Sequence, residues 1–484
     1  MYKNNMPGAL AAGLLTLAIS MVIALPASAA GKSARGPFDA KAREMLETLI
    51  AMPTSVGNDK VPQMAEYLAG EFRAAGFPEK DVTVLKFDNP GDKTAALVVR
   101  YRAAGTEGSG GKPILLLSHL DVVTANRADW VRDPFKLTEE DGYFFGRGTK
   151  DVKAGVVALT ATFLRLKKEG FVPKRDLIIF FSGDEETSQS TTVAALRDHR
   201  DLVDGDYALN SDAGGGVLDE ATGKASVFSL GTAEKTYADF TLTTHNPGGH
   251  SSQPRAQNAI YDLSAALLKL AQFNFPVMWS DTTLAYFRAT GQTHSDEIGT
   301  AMTRFAADPH DTAAAATLAA DPASVGKTRT TCVATQLAGG HAPNALPQSA
   351  SANVNCRIFP GVKVEDVRKT LQGVVGDGVE IKLVGAPMSS DASPLRADVV
   401  AAVTRAVHKV YPGVPIVPNQ DSGASDGLVF RAAGIPSYGV EAIFMKPSEE
   451  FSHGLNERIP VSSFYASLEL WYQLVTDVGG KRAK

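Results

Sequence analysis

The 484-residue sequence has only two cysteines, three tryptophans and nine histidines. Two thiols cannot build a four-thiolate zinc site or an iron–sulfur cluster, so any metal chemistry must rest on histidines and carboxylates. Positive charge is not in excess either; the formal net charge is −5. A chain without a basic face is poorly suited to neutralise phosphates, which argues against nucleic acid and anionic membranes as partners. There is no internal repeat and no long low-complexity tract. After residue 30 no apolar run is long enough to span a bilayer.

The first thirty residues differ from the rest. Lys3 is their only charge, an apolar run follows from Ala9 to Leu25, and Ala27-Ser28-Ala29 ends it in a small-x-small pattern. This predicts a secretory signal peptide over residues 1–30, and hence an exported protein, periplasmic or secreted, with no stable membrane anchor after cleavage. Export permits a disulfide between Cys332 and Cys356, which both fall in strand-like segments; two free buried thiols is the competing reading.

With 44% hydrophobic and 21% charged residues, the remainder has the composition of a globular enzyme large enough for two domains. Residues 96–100, 114–118, 177–181 and 207–210 read as strands, some of them continuous apolar runs. Val152 to Lys168 has helical apolar spacing. Strands alternating with helices predict an α/β sheet covered on both faces. From about residue 236 the texture changes. A strand at 237–244, a helix at 258–272, strands at 331–337 and 350–358, a helix at 364–374 and a strand at 379–384 give the ferredoxin-like order β-α-β-β-α-β. Residues 280–326, rich in Ala, Asp and Thr, read as a helical insertion within it. Helix, buried strand and final helix return after residue 388. The expected organisation is one α/β domain (31–235 and 388–484) interrupted by a smaller domain (236–387).

Five short motifs carry the chemistry. Ser118-His119-Leu120-Asp121 follows a buried strand, where ligands of α/β sheets collect. Gly146-Arg147-Gly148-Thr149-Lys150-Asp151 leads into a helix. Gly183-Asp184-Glu185-Glu186 and Asn210-Ser211-Asp212 each follow a further strand, and His453 stands near the end in Ser452-His453-Gly454. Singly, each has a bland explanation: Asp151 reads as an N-cap, and the acids as a solvated loop. Together, most of them follow a strand of one inferred sheet, so their side chains can converge. Two histidines and three carboxylates suit two divalent ions with open positions for water, and nitrogen and oxygen donors suit zinc, cobalt or manganese. Glu185 is the spare carboxylate, hence the candidate general base. Ser251 and Ser422 lie in glycine-containing loops but not in Gly-x-Ser-x-Gly, which disfavours a serine hydrolase. A non-catalytic periplasmic binding protein would require loss of ligands or base, and all are present.

From about residue 40 to 478 these motifs resemble the M20 family of metallopeptidases, with Gly249-His250-Ser251-Ser252 and the late His453 in family order. The resemblance implies a zinc-peptidase-like catalytic domain with an inserted lid that also dimerises. It implies that His119 and Asp212 hold one metal, Glu186 and His453 the other, and that Asp151 bridges them beside a cis peptide. Asp121 would orient His119, and Glu185 would be the base. His250 would stabilise the oxyanion, and Asn344 and Arg357 would grip a substrate carboxylate. Gly423 and Asp426 would belong to a substrate-binding loop. The implied activity is cleavage of a peptide or N-acyl amino acid amide bond. Aspartate at 212, Ala342-Pro343-Asn344 and His453-Gly454-Leu455-Asn456-Glu457 tilt toward the carboxypeptidase S-like and dipeptidase members, with an aminoacylase-like deacylase as the alternative.

Overall fold

A computed structural model describes residues 36–89, 91–104, 111–292 and 296–480. The expected signal peptide, and most of the glycine-rich loop after residue 104, lie outside the described residues. In the order of the chain, fourteen strands build the two main sheets. They are β1 Val82–Asn89, β2 Asp92–Tyr101, β3 Ile114–His119, β4 Leu177–Ser182, β5 Tyr207–Asn210, β6 Gly215–Leu218, β7 Ala225–Glu234, β8 Thr236–His245, β9 Thr331–Gly339, β10 Ser349–Ile358, β11 Glu380–Val384, β12 Ile416–Asp421, β13 Ser437–Gly439 and β14 Phe444–Met445.

The large sheet runs β1-β2-β4-β3-β5-β13-β7-β6-β14, and β12 pairs parallel with β7. It is mixed: β3 lies parallel between β4 and β5, while β2 is antiparallel to β4. The apolar runs of β3 and β4 are continuous because both faces are covered. Alternate residues serve two cores. Ile114, Leu116, Ile179 and Phe181 pack with the helices Ala154–Lys168, Ala397–Val410 and Val461–Val478. Leu115, Leu117, Ile178 and Phe180 pack on the other side, with Ala195 and Phe430. The helix expected from residue 152 begins at Ala154; Asp151 and Val152 ahead of it have non-helical backbone angles, and the peptide between them is cis.

The smaller sheet has the order β9-β10-β8-β11, all neighbours antiparallel. With helices Ala259–Gln272 and Val364–Val375 this is the strand order of a split β-α-β unit. Its own core joins Phe240, Leu242, Val354 and Ile358 to Leu263, Leu270, Val367 and Leu371. Cys332 and Cys356 face each other across β9 and β10 and are joined by a disulfide. The insertion forms helices Asp281–Gly291, Glu297–Ala307, Thr312–Ala320 and Val325–Thr328 around Phe287, Phe305 and Leu318.

Candidate metal centre

Four of the five motifs bring their side chains to one place at the carboxyl ends of β3, β4 and β5, and the fifth reaches it from near residue 453. His119 is the last residue of β3 and is 1% exposed. Its Nε2 lies 3.0 Å from Asp151 Oδ1 and 3.5 Å from Asp212 Oδ1. On the other side of the same carboxylate, Asp151 Oδ2 lies 3.0 Å from His453 Nε2, which is also 2.9 Å from Glu186 Oε2. Two clusters of three ligands therefore form, His119-Asp151-Asp212 and Asp151-Glu186-His453, with Asp151 common to both.

The electrostatics state what this cluster lacks. Burial works against a charged His119, yet the charge of Asp212 and hydrogen bonds to Asp121, Asp151 and Asp212 raise its pKa well above the usual value. Hydrogen bonds to Asp151 and Glu186 push His453 up to about 10. Burial pushes Asp212 up to about 6 in spite of His119. Burial also opposes ionisation of Asp151, but its two histidine bonds hold its carboxyl well below the usual range. The carboxylates thus draw protons onto the histidines because they need positive charge. A divalent cation in each cluster supplies that charge and leaves the nitrogens as ligands, so the donor set fits two such ions.

Asp121 acts at two points. Its main-chain carbonyl accepts from His119 Nδ1 at 3.0 Å, closer than its own carboxylate at 3.4 Å. The carboxylate accepts instead from the amides of Glu185 and Glu186, at 3.1 and 3.0 Å. It therefore fixes the turn that presents the candidate base and a ligand. Asp184, the third acid of this run, points inward and accepts from Ser188, Ser190 and Thr191. Gly183 is required at the start of this turn, since a Cβ there would collide with the Ala95 carbonyl. Burial, reinforced by the Asp212 charge, raises the Glu185 pKa well above the usual carboxylate value.

The Asp151 and His453 segments are joined by a clamp that no local pattern announces. Glu457, fully buried, accepts from Arg147 Nη1 at 2.6 Å and from the amides of Gly148, Lys150 and Asp151. Arg147 Nη2 donates to the carbonyls of His453 and Gly454. Lys150 lies between Glu441 and Glu450, at 2.7 and 3.2 Å. Both Arg147 and Glu457 stand inside motifs visible in the sequence, but their pairing across 310 residues is not.

The expected substrate residues fall into three groups. His250 and Asn344 come together on a ribbon in which Gly249–His250 pairs with Ala345–Leu346, and the Ser251 amide donates to the Asn344 carbonyl. His250 Nδ1 accepts from the Ser252 amide, so Nε2 carries the proton of the neutral ring and faces outward as a donor. Among the described residues no hydrogen bond joins His250 to the metal ligands. Arg357, on β10, lies over the Tyr237 ring and donates to the Ser422 carbonyl at 3.0 Å. Gly423 lines a cavity of about 240 Å³ together with Asp151, Asp212, Asp421 and Glu441. Asp426 is different: it is 3% exposed and accepts from Ser182 and Thr192, and burial pushes its pKa up to about 7. It anchors the start of a helix beneath the site and is not presented to the cavity, because its neighbours on β4 and the 190–198 helix already occupy both oxygens.

Comparison with known proteins adds a second line. The family model described as Peptidase family M20/M25/M40 matches residues 115–477. The chain is similar to the human N-fatty-acyl-amino acid synthase/hydrolase PM20D1, 28% identical over 75% of this chain and 74% of that protein. It is similar to the probable carboxypeptidase S-like 2 of Dictyostelium discoideum, 26% identical over 75% of this chain and 71% of that protein. Among solved structures, the M20 family metallo-carboxypeptidase Sso-CP2 from Sulfolobus solfataricus superposes with a TM-score of 0.67 at 17% identity, covering 91% of this chain and 99% of that one.

Proposed function

Since the chain belongs to peptidase family M20/M25/M40, we propose that it is a two-metal hydrolase that cleaves the amide bond of a peptide or N-acyl amino acid with a free carboxylate. The observation that carries this reading is the single carboxylate of Asp151 common to two ligand clusters, with Glu185 beside them. His119 and Asp212 would hold one divalent ion and Glu186 and His453 the other, with Asp151 shared between the two clusters; zinc is the expected metal, with cobalt or manganese as substitutes. When bound, such ions polarise the amide carbonyl and lower the pKa of water. Glu185 takes the proton of the attacking water and delivers it to the departing nitrogen. The outward Nε2–H of His250 stabilises the oxyanion when the smaller domain (236–387) covers the site as a lid. Arg357 and Asn344 receive the substrate carboxylate.

The Cys332–Cys356 disulfide and the apolar leader both support export to the periplasm or beyond. No helix among the described residues is long and apolar enough to cross a membrane. Homodimerisation through the smaller domain is supported by its exposed edge strand β9, where Val333 and Leu337 are 60% and 70% exposed, beside exposed Leu268.

The test is hydrolysis of alanyl-phenylalanine, alanyl-phenylalanine amide and N-acetyl-phenylalanine by the purified protein, before chelation, after it, and after adding zinc, manganese or cobalt. Cleavage lost on chelation and restored by metal is expected, with the free carboxylate preferred. Activity indifferent to chelation would sink the two-metal reading, and equal turnover of the amide would sink the role of Arg357.

A further inference from the structure

The helical insertion has a small core of its own, and it also touches the strand that leads into the cavity. Helix Asp281–Gly291 packs against β12. Beside it, Thr282 and Thr232 share a buried hydrogen bond of 2.7 Å. From the last turn of the insertion, Lys327 Nζ donates to Asn419 Oδ1 at 2.6 Å and to the Gln420 carbonyl at 2.9 Å, and lies 4.3 Å from the centre of the Tyr286 ring. An ammonium is donor only, so the Asn419 atom facing it must be the oxygen. The amide nitrogen is thereby turned the other way, where it donates to Asp421 Oδ1 at 2.5 Å. Asp421 lines the cavity with Asp151 and Asp212. The Asp421 carbonyl accepts from the Lys235 amide, and the next carbonyl, Ser422, accepts from Arg357.

We propose that Lys327 is a positioning residue of the active site: through Asn419 it orients Asp421 and sets the 421–425 turn, so the insertion buttresses the substrate cavity. Only the kinetic part of this inference rests on the hydrolase reading above. The turn is otherwise held at its two ends, by the Lys235 amide and Arg357 on one side and by the Ser425 hydroxyl, which donates to Glu234, on the other. Ser422, Gly423 and Ala424 are exposed. Without the ammonium, the Asn419 amide is free to flip and Asp421 loses its defined partner. The effect passes through two side chains, so Lys327 need not touch substrate. An arginine at 327 keeps the donors and the charge, whereas methionine keeps the stem and loses both.

The experiment measures amide hydrogen exchange of residues 419–425 in full-length Lys327→Met, Lys327→Arg and Asn419→Ala proteins. Exchange there should rise about tenfold or more in the methionine and alanine variants, recover in the arginine variant, and stay unchanged in helices 281–320. With the faster of the two carboxylate substrates above, KM should rise about tenfold while kcat moves less than about twofold. The double variant Lys327→Met/Asn419→Ala should be no worse than either single one. Unchanged exchange at 419–425, or additive effects in the double variant, would overturn the proposal. If Lys327→Met does not fold, Asn419→Ala carries the same test with Lys327 in place. If the wild type cleaves neither substrate, the hydrolase reading fails and the exchange result still decides the positioning role.

Discussion

The two halves of the metal centre are built differently. His119 ends a strand in the middle of the large sheet and is 1% exposed, with both ring nitrogens engaged. His453 sits in a turn with positive φ, its side chain 54% exposed, and is held through its carbonyl by Arg147. In the first half the pairing of β3 with β5 brings His119 and Asp212 together, and only Asp151 comes from outside these strands, its amide held by Glu457. The second exists only because the Arg147–Glu457 clamp carries a distant turn to Asp151. The difference teaches that a shared ligand does not make two equal sites. The buried half is set by the core and should retain its ion, and the exposed half should exchange it.

The sharpest way to break this comparison is to remove chemistry without touching either half. Glu185→Gln should lower kcat about a thousandfold while both ions stay bound, read by single-turnover kinetics together with metal analysis. Loss of an ion in that variant would make Glu185 a ligand and redraw the buried half. The next largest effect separates the halves directly. His453→Ala should keep one ion per chain and a near-native melting temperature. His119→Ala should lose metal and melt lower, because Asp151 and Asp212 are left buried without their cation. Equal metal content and melting in the two variants would erase the asymmetry.

The smallest effect lies outside both halves and calibrates stability against them. Burial, helped by the charges of Arg357 and Lys327, lowers the Lys235 pKa from 10.5 to about 7. Between these values the unfolded chain holds a proton that the folded chain does not, so stability rises with pH from about 7 toward 10. Below about 7 both states are protonated and the full penalty of the buried charge is present. Relative to Lys235→Met, the wild type should therefore gain melting temperature between pH 6.5 and 9.5. A wild type that fails to gain on the variant over this range, or loses ground to it, would show that Lys235 is charged when folded.

Much of this centre is legible before any coordinates. Its ligands follow apolar runs that are continuous because strands β3 and β4 are buried on both faces, and each run ends in a short punctuated motif. Other parts are not legible for stated reasons. Strand β12 reads Ile-Val-Pro-Asn-Gln-Asp, and a proline inside such a run argues against a strand. It is tolerated here because β12 has β7 as its one partner, which leaves an unbonded side. Strand β7 is rich in Ser, Gly and Thr and shows no apolar run, yet its second half is buried. The helix Pro37–Ile50 has clear helical spacing in Met45, Leu46, Leu49 and Ile50, but the motif-led reading names no helix or strand between residues 31 and 95. The inward turn of the Asp426 side chain is hidden in the sequence for another cause. A glycine- and serine-rich segment resembles a binding loop whichever way one acid turns, and only the packing against Ser182 and Thr192 turns this one inward. The clamp and the Lys327–Asn419–Asp421 relay join residues too distant for any periodicity to record.

The position of β13 in the large sheet has a consequence for the birth of the molecule. Residues 437–439 fill the gap between β5 and β7, which are made more than two hundred residues earlier. On a ribosome the first half of the sheet must therefore wait with two open edges, and such edges invite wrong pairings and slow closure. The second ligand cluster waits longer still, for His453. Nascent chain and finished protein thus differ in what they can bind: the early segment can offer His119, Asp151 and Asp212, and only the late arrival of the last turn makes a pair of ions possible.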